Sequence, residues 1–302
     1  MSISNKINIA VIGATGYTGL DLTYMLSKHS RVNIKNLCAT KNLGKKISFF
    51  DNRITKKLPR LMSVDKVNWE NLDLVFLSLP NGEAQKLIKK TFNKYKKLKY
   101  IDLSADFRIV DHKVYTQIYK IKHKAPNLIK DSIYSLSEFK KKDIENYRII
   151  ANPGCYPTSI LLALVPLLKK NFIKSKDITI DSKSGFSGAG KNLENKFKHK
   201  NLYQSTFAYS PKNHRHICEI DQELYKLTKK KVSYTFNPHL LPVFRGILSS
   251  IYVYTKNKTT AQQLRIALIK FYKNDKFVKV LKLNTNIGSG NALNTNYCEI
   301  SV

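Results

Sequence analysis

Short apolar runs ending in glycine- or proline-containing turns alternate with segments of helical period over the first half of the chain. Residues 7–12, Ile-Asn-Ile-Ala-Val-Ile, read as a strand, and Leu20, Leu22, Tyr24, Met25 and Leu26 mark a helix directly after it. Further strands are expected at 32–39, 73–79, 99–104 and 147–151, with a helix starting near Glu83. Strands that alternate with helices predict a doubly wound parallel sheet covered on both faces, an α/β Rossmann-type unit. The run Ile160 to Val165 has helical character, and Thr158 or Ser159 is placed to open that helix.

After Cys155 the texture changes. Residues 177–184 alternate polar and apolar like a half-buried strand, and 232–237 and 246–254 read as strands joined by 238–245. A helix at 260–272 follows, then short strands near 278–283 and 297–302. Consecutive strands without intervening helices predict an α+β second domain on a mixed or antiparallel sheet. The expected division is 1–151 and 152–302.

Composition narrows the class. With 302 residues and 42% hydrophobic content the chain is long enough for two packed domains. Its apolar runs are too short to span a bilayer. The six residues ahead of Ile7 leave no room for a leader, so a cytoplasmic location is expected. Cys38, Cys155, Cys218 and Cys298 are scattered and form no C-x-x-C pair, so neither a metal site nor a disulfide framework is expected. The net charge of +32 comes from 53 Lys and Arg against 21 Asp and Glu. Lysines spread in pairs and triplets through the chain read as a solvated basic surface that suits an anionic substrate. A nucleic-acid-binding protein is the rival from another class, carried by charge alone, and no nucleic-acid or membrane partner is expected.

The turns carry the chemistry. Gly13-Ala14-Thr15-Gly16-Tyr17-Thr18-Gly19 lies between a strand and a helix, where glycines let a dinucleotide's diphosphate approach the helix N-terminus. At the end of the second strand stand Thr40 and Lys41, with no acid before Asp51, which suits a 2′-phosphate and points to NADP. Arg108, after the strand at 99–104, is a candidate anion clamp. Gly185 to Gly190 suits close backbone approach to a ligand. His214-Arg215-His216 gathers two imidazoles and a guanidinium at a helix start. Cys155 follows Pro153-Gly154 in a strand-to-helix turn, a setting that lowers a thiol's pKa and exposes its sulfur.

Six ordered motifs resemble the N-acetyl-γ-glutamyl-phosphate reductase family: residues 13–19 (GATGYTG), 101–108 (IDLSADFR), 152–159 (NPGCYPTS), 183–191 (KSGFSGAGK), 214–220 (HRHICEI) and 238–248 (PHLLPVFRGIL). The wider superfamily includes aspartate-semialdehyde dehydrogenase. The resemblance implies an NADP-binding domain at 1–151 and a catalytic, substrate-binding and dimerisation domain at 152–302. It implies that Cys155 attacks an acyl phosphate and that NADPH reduces the resulting thioester to an aldehyde, in arginine biosynthesis. Proton transfer falls to His214, with His216 the alternate. Cofactor contacts are expected from Gly13, Thr15, Gly16, Tyr17, Thr18, Gly19, Thr40, Lys41, Ser187 and Gly188. Substrate contacts are expected from Arg108, Asn152, Lys183 and Arg215. A homodimer or homotetramer is implied. Aspartyl or acetyl-aminoadipyl phosphate are the alternative substrates. Relatives continue past residue 302 with a helix that borders the cofactor; its absence here leads to an expectation of weakened NADP binding.

Overall fold

In the computed structural model the described residues are 6–191, 201 and 203–302, and the chain divides into two compact units, Met1–Pro153 and Gly154–Val302. The first unit carries β1 (Ile7–Ile12), α1 (Tyr17–Ser27), β2 (Val32–Cys38), β3 (Leu61–Met62), β4 (Leu74–Leu77), α2 (Glu83–Thr91) and β5 (Lys99–Asp102). It continues with α3 (His112–Tyr119), β6 (Ser132–Tyr134), α4 (Ser137–Lys140) and β7 (Ile149–Ala151). Seven strands form one parallel sheet in the order β3-β2-β1-β4-β5-β7-β6. β1 is an interior strand, with β2 on one side and β4 on the other.

Alternation along β1 decides how the sheet is covered. Ile9 and Val11 join Leu20, Leu22, Leu37 and Leu61 in one buried cluster. Ala10 and Ile12 join Val75, Leu77, Ile88, Phe92 and Tyr100 in the other. Two apolar faces on one strand need a helix layer on each side, and α1 and α2 supply them. The short β3, β6 and α4, and α3 with its Asp111 cap, are not among the elements expected from the sequence. Runs of two to four residues are too short to show a period.

The second unit carries α5 (Cys155–Lys169), β8 (Ile178–Gly185), β9 (Phe207–Ala208), α6 (Ile217–Thr228), β10 (Tyr234–Leu241), β11 (Ile247–Tyr252), α7 (Ala261–Phe271), β12 (Val278–Val280) and β13 (Cys298–Ile300). Its main sheet runs β11-β8-β10-β9 and is mixed: β8 and β10 are parallel, and the two outer pairs are antiparallel. β12 and β13 pair in parallel apart from it. α5 is apolar around almost its whole circumference and packs against α6, α7 and β11. Pro166 inside α5 has no N–H to give the Leu162 carbonyl. The Tyr272 hydroxyl donates to that carbonyl instead, at 2.5 Å.

Two boundaries differ from expectation. β10 continues through Pro238 and His239, which the sequence assigns to a joining segment. The Pro238 carbonyl accepts from Tyr209 N–H at 3.0 Å, on the side away from β8. The missing N–H points to that same side, so no bond of the β8–β10 ladder is lost. The helix expected to open at Thr158 or Ser159 begins at Cys155 itself.

Gly13 stands where β1 meets α1 with φ +85°, and a Cβ there would lie 2.1 Å from the Ser78 carbonyl oxygen after β4. Gly44 has a similar φ of +81° with open space around it. Gly13→Ala is therefore expected to cost about 3 kcal/mol or more, from overlap added to backbone strain. Gly44→Ala should cost only about 1 kcal/mol. Urea unfolding of both variants checks this; equal losses would show that the contact with Ser78 does not matter.

Candidate active site

Cys155 is the first residue of α5, with Gly154 as N-cap in extended conformation. The reason the helix starts so early lies in Pro157. In the first turn its missing N–H is not needed and its fixed φ favours the helix. Thr158 then closes the turn, its N–H and hydroxyl both donating to the Gly154 carbonyl at 3.0 and 2.8 Å. Cys155 is exposed while Gly154 and Tyr156 on either side are buried. The sulfur thus stands at the positive end of a 15-residue helix, where a thiolate is favoured over a buried thiol.

α6 supplies the groups that hold this turn. Glu219, in its first turn and 0% exposed, accepts the Gly154 N–H at 2.6 Å through Oε1. A Cβ on Gly154 would lie 2.7 Å from His216 Nε2 and 3.0 Å from Glu219 Oε2. Glycine is required there because an imidazole and a carboxylate occupy the space a side chain would fill. Sequence reasoning missed Glu219. The available signal was an acid three residues after His216, which one turn of helix carries to the same face.

His214 and His216 are both buried, at 8% and 4% exposure, while Arg215 between them is exposed. Their rings meet edge to face at 4.8 Å, and His214 also packs against Tyr156, Tyr209 and Phe236. The His216 N–H donates to His214 Nδ1 at 3.1 Å. A neutral His214 therefore carries its proton on Nε2. The Tyr209 hydroxyl donates to that of Tyr156 at 3.2 Å. Burial, and then negative charge on Cys155, push the Tyr209 hydroxyl up to about 12, so it stays protonated beside the sulfur.

Lys183 lies on β8, its ammonium 2.5 Å from Asp181 Oδ2, and His239 Nδ1 is 3.0 Å from the other Asp181 oxygen. The glycine turn after β8 is stitched to residues 243–246. Gly185, Phe186 and Ser187 donate their N–H groups to the carbonyls of Gly246, Val243 and Phe244, each at 2.9 Å. A Cβ on Gly185 would come within 2.8 Å of the main chain of residues 243–245, so the pairing depends on glycine. Ser187 and Gly188 sit in the short 3-10 turn that follows.

The first unit offers a nucleotide cradle. Gly19 in α1 packs against the Gly13 carbonyl so closely that a Cβ would lie 2.2 Å from it. No side chain caps α1 and no acid stands in its first turn, so its N-terminus suits the anionic diphosphate of a dinucleotide. Thr40 and Lys41, exposed at the end of β2, fit a 2′-phosphate. Asp51, the next acid, is paired with Arg53 at 2.6 Å.

Arg108 and Asn152 belong to a different arrangement from the anion site expected of them. Arg108 is 8% exposed and donates through Nε to the Asn152 carbonyl at 2.7 Å and through Nη2 to the Leu103 carbonyl at 3.2 Å. It fastens the ends of β5 and β7. Asn152 is exposed, and its N–H donates to the Asp102 carbonyl at 2.8 Å. The Asp102 carboxyl is fully buried and pushed up to about 6, chiefly by burial and then by the neighbouring Asp106. Among the described residues no cluster of His, Cys, Asp and Glu is arranged to hold a metal ion. Nor is any described helix long and apolar enough to cross a membrane.

Comparison with known proteins places these motifs in context. Residues 8–147 match the family model described as semialdehyde dehydrogenase, NAD binding domain, and residues 155–302 match semialdehyde dehydrogenase, dimerisation domain. An N-acetyl-γ-glutamyl-phosphate reductase of Ehrlichia canis is 40% identical over 99% of this chain and 86% of its own length. That of Afipia carboxidovorans is also 40% identical, with the same coverage. A probable chloroplastic N-acetyl-γ-glutamyl-phosphate reductase of Oryza sativa is 39% identical over 98% of this chain and 71% of its own. Among solved structures, aspartate semialdehyde dehydrogenase II of Vibrio cholerae superposes with TM-score 0.71 at 18% identity, covering 94% of this chain and 83% of its own. The Candida albicans enzyme with NADP gives 0.62 at 16%, covering 94% and 84%. At such identities the structural likeness shows the fold.

Two outcomes follow from the electrostatics. Iodoacetamide is expected to label Cys155 at least about tenfold faster than Cys38 or Cys218, whose thiols burial pushes up to about 12 and about 11. Peptide mapping that finds Cys218 labelled first would contradict the placement of the nucleophile. For Asp102, the folded pKa of about 6 lies above the ordinary 3.8. Its contribution to stability is complete below the lower value and lost as pH rises through the upper one. Stability should fall by about 2–3 kcal/mol from this group between those limits. Urea midpoints against pH should show a shallower decline in Asp102→Asn than in the wild type.

Proposed function

The chain belongs to the N-acetyl-γ-glutamyl-phosphate reductase family, and we propose that it reduces N-acetyl-γ-glutamyl phosphate to the corresponding semialdehyde with NADPH, releasing phosphate. The observation that carries this reading is the exposed Cys155 at a helix N-terminus whose preceding residue is held by Glu219 and packed by His216. A helix-terminal thiol with an imidazole beside its turn is a nucleophile built for an acyl group. It assigns Cys155, His214, His216 and the cofactor and substrate residues to one reaction, within arginine biosynthesis.

In the first half-reaction the Cys155 sulfur attacks the carbonyl carbon of the acyl phosphate. The carbon–oxygen bond to phosphate breaks, and the acyl group remains as a thioester. His216 is the base in this reading. A neutral His214 holds its only proton on Nε2 because Nδ1 accepts from His216, so it donates to a developing oxyanion rather than taking the thiol proton. This reverses the order of the two histidines favoured by the sequence. Arg215, exposed beside them, is the guanidinium we assign to the leaving phosphate. Arg108 fastens main chain, and Lys183, already paired to Asp181, serves the substrate's carboxylate.

NADPH, when bound, supplies the hydride that converts the thioester to the aldehyde level. Gly13, Thr15, Gly16, Tyr17, Thr18 and Gly19 would hold its diphosphate, Thr40 and Lys41 its 2′-phosphate, and Ser187 and Gly188 its nicotinamide end. Return of the carbonyl then breaks the carbon–sulfur bond and frees Cys155. We further assign the residues from 152 onward the substrate-binding and dimerising role, with a homodimer or homotetramer as the working unit and the cytoplasm as its compartment. The matched dimerisation domain supports the assembly.

Loss of NADPH absorbance with N-acetyl-γ-glutamyl phosphate, against aspartyl and acetyl-aminoadipyl phosphate, tests the substrate. Cys155→Ser should lower turnover by at least about a thousandfold while NADPH binding stays near wild type. His216→Asn should slow Cys155 alkylation and lower kcat by about a hundredfold or more. If His214→Asn slows alkylation and His216→Asn does not, the two roles are exchanged.

A further inference from the structure

The segment 101–108 contains a carboxylate that the reaction above does not use. Asp106 is 0% exposed. Its Oδ1 accepts the Gly82 N–H at 2.7 Å and the Tyr115 hydroxyl at 2.7 Å; its Oδ2 accepts the Gly82 and Gln85 N–H groups at 3.0 and 3.1 Å. Gly82 is the N-cap of α2 and Gln85 lies in its first turn, so the carboxylate closes the helix N-terminus from inside the protein. The Gln85 side chain donates to the Tyr115 hydroxyl at 3.0 Å and accepts the Lys124 N–H. His123 Nδ1 accepts from Ala125, so its Nε2 carries the proton and donates to the Asp106 carbonyl at 2.8 Å. Helix α3 and the start of α2 thus converge on the Asp106 side chain, while the segment 123–125 is bonded to the Asp106 carbonyl and to Gln85.

What this side chain holds is the turn after β4. That turn begins at Ser78, whose carbonyl occupies the place a Gly13 Cβ would take, with the Leu79 side chain next to it. It ends at Gly82, with φ +89°. β1 stands between β2 and β4, so the crevice at the carboxyl ends of the strands opens where the sheet order reverses. A dinucleotide with its 2′-phosphate at the end of β2 and its diphosphate at the β1–α1 turn extends toward β4. The 78–82 turn is therefore the part of this unit that meets the nicotinamide half.

Resting on the NADPH reading above, we propose that Asp106 is a positioning residue for the nicotinamide half of the cofactor, acting through the 78–82 turn that it ties down. The carboxylate touches no ligand. It fixes Gly82 in its left-handed conformation and holds Ser78 and Leu79 against Gly13. The cost of a buried charge is offset by two main-chain amides, a phenol and the end of a helix.

The test separates the two halves of the cofactor. Asp106→Asn keeps the size of the side chain but turns an NH2 toward one of the amides it must accept. The Kd for NADPH, read by its fluorescence on binding, should rise about tenfold, the effect of losing one hydrogen bond to a charged group. The Kd for adenosine 2′,5′-bisphosphate, which carries the 2′-phosphate and the first phosphate of the diphosphate but no nicotinamide half, should stay within about twofold of wild type. Tyr115→Phe removes a single donor to Asp106 and should give about a threefold loss for NADPH alone. It keeps the test available if Asp106→Asn does not fold. Unchanged NADPH binding in the variants, or equal weakening toward both ligands, would overturn the proposal. Failure of the wild-type chain to bind NADPH would instead overturn the functional reading, and this inference with it.

Discussion

Carboxylates sealed from water hold main-chain amides at the turns around Gly82, Phe107 and Gly154. Asp102, Asp106 and Glu219 each have 0% exposure, in a chain with 53 basic and 21 acidic residues. Asp102 accepts the N–H groups of Ser104 and Phe107, Asp106 those of Gly82 and Gln85, and Glu219 that of Gly154. Burying a charge is costly unless hydrogen bonds replace its water, and amides at turns and helix starts are the donors with no partner of their own in secondary structure. Each carboxylate therefore stabilises a backbone path that neither sheet nor helix would impose. Glu219 takes the Gly154 amide and Thr158 the Gly154 carbonyl, so the backbone ahead of Cys155 is held on both sides.

Glycine is the complement of those carboxylates. Gly13, Gly19, Gly154 and Gly185 all stand where a Cβ would overlap another group. At Gly154 that group is the His216 imidazole with the Glu219 carboxylate beside it. At Gly13 it is the carbonyl of the neighbouring strand's turn. Removing one methyl's worth of volume lets two chain segments distant in sequence touch at both positions.

Much of the fold was legible from period alone. β1, β2, β4 and β5 are runs of apolar residues ended by turns, and the helices between them show a buried face. Hence the parallel sheet and the mixed second sheet both follow from the order of elements. Failures had physical causes. Pro238 breaks the strand pattern on paper, yet its missing N–H faces the side where β10 has little to pair with. The helix expected to open at Thr158 or Ser159 begins at Cys155, because Pro157 in the first turn favours the helix. Arg108 looked like a free guanidinium because sequence does not show that the Asn152 and Leu103 carbonyls lie within its reach.

By itself, the order of residues determined the local chemistry: a glycine turn after an apolar strand, hydroxyl and cationic groups after the second strand, a cysteine behind Pro-Gly, and two histidines flanking an arginine. These follow from covalent neighbours and short periods. Tertiary structure decided which side chains meet and in what state. His216, 61 residues beyond Cys155, comes to lie over Gly154, and His214 takes its tautomer from a backbone amide. Asp106 closes a helix that begins 23 residues before it. Such contacts depend on the sheet that carries both partners, and no pattern along the chain encodes the distance between them.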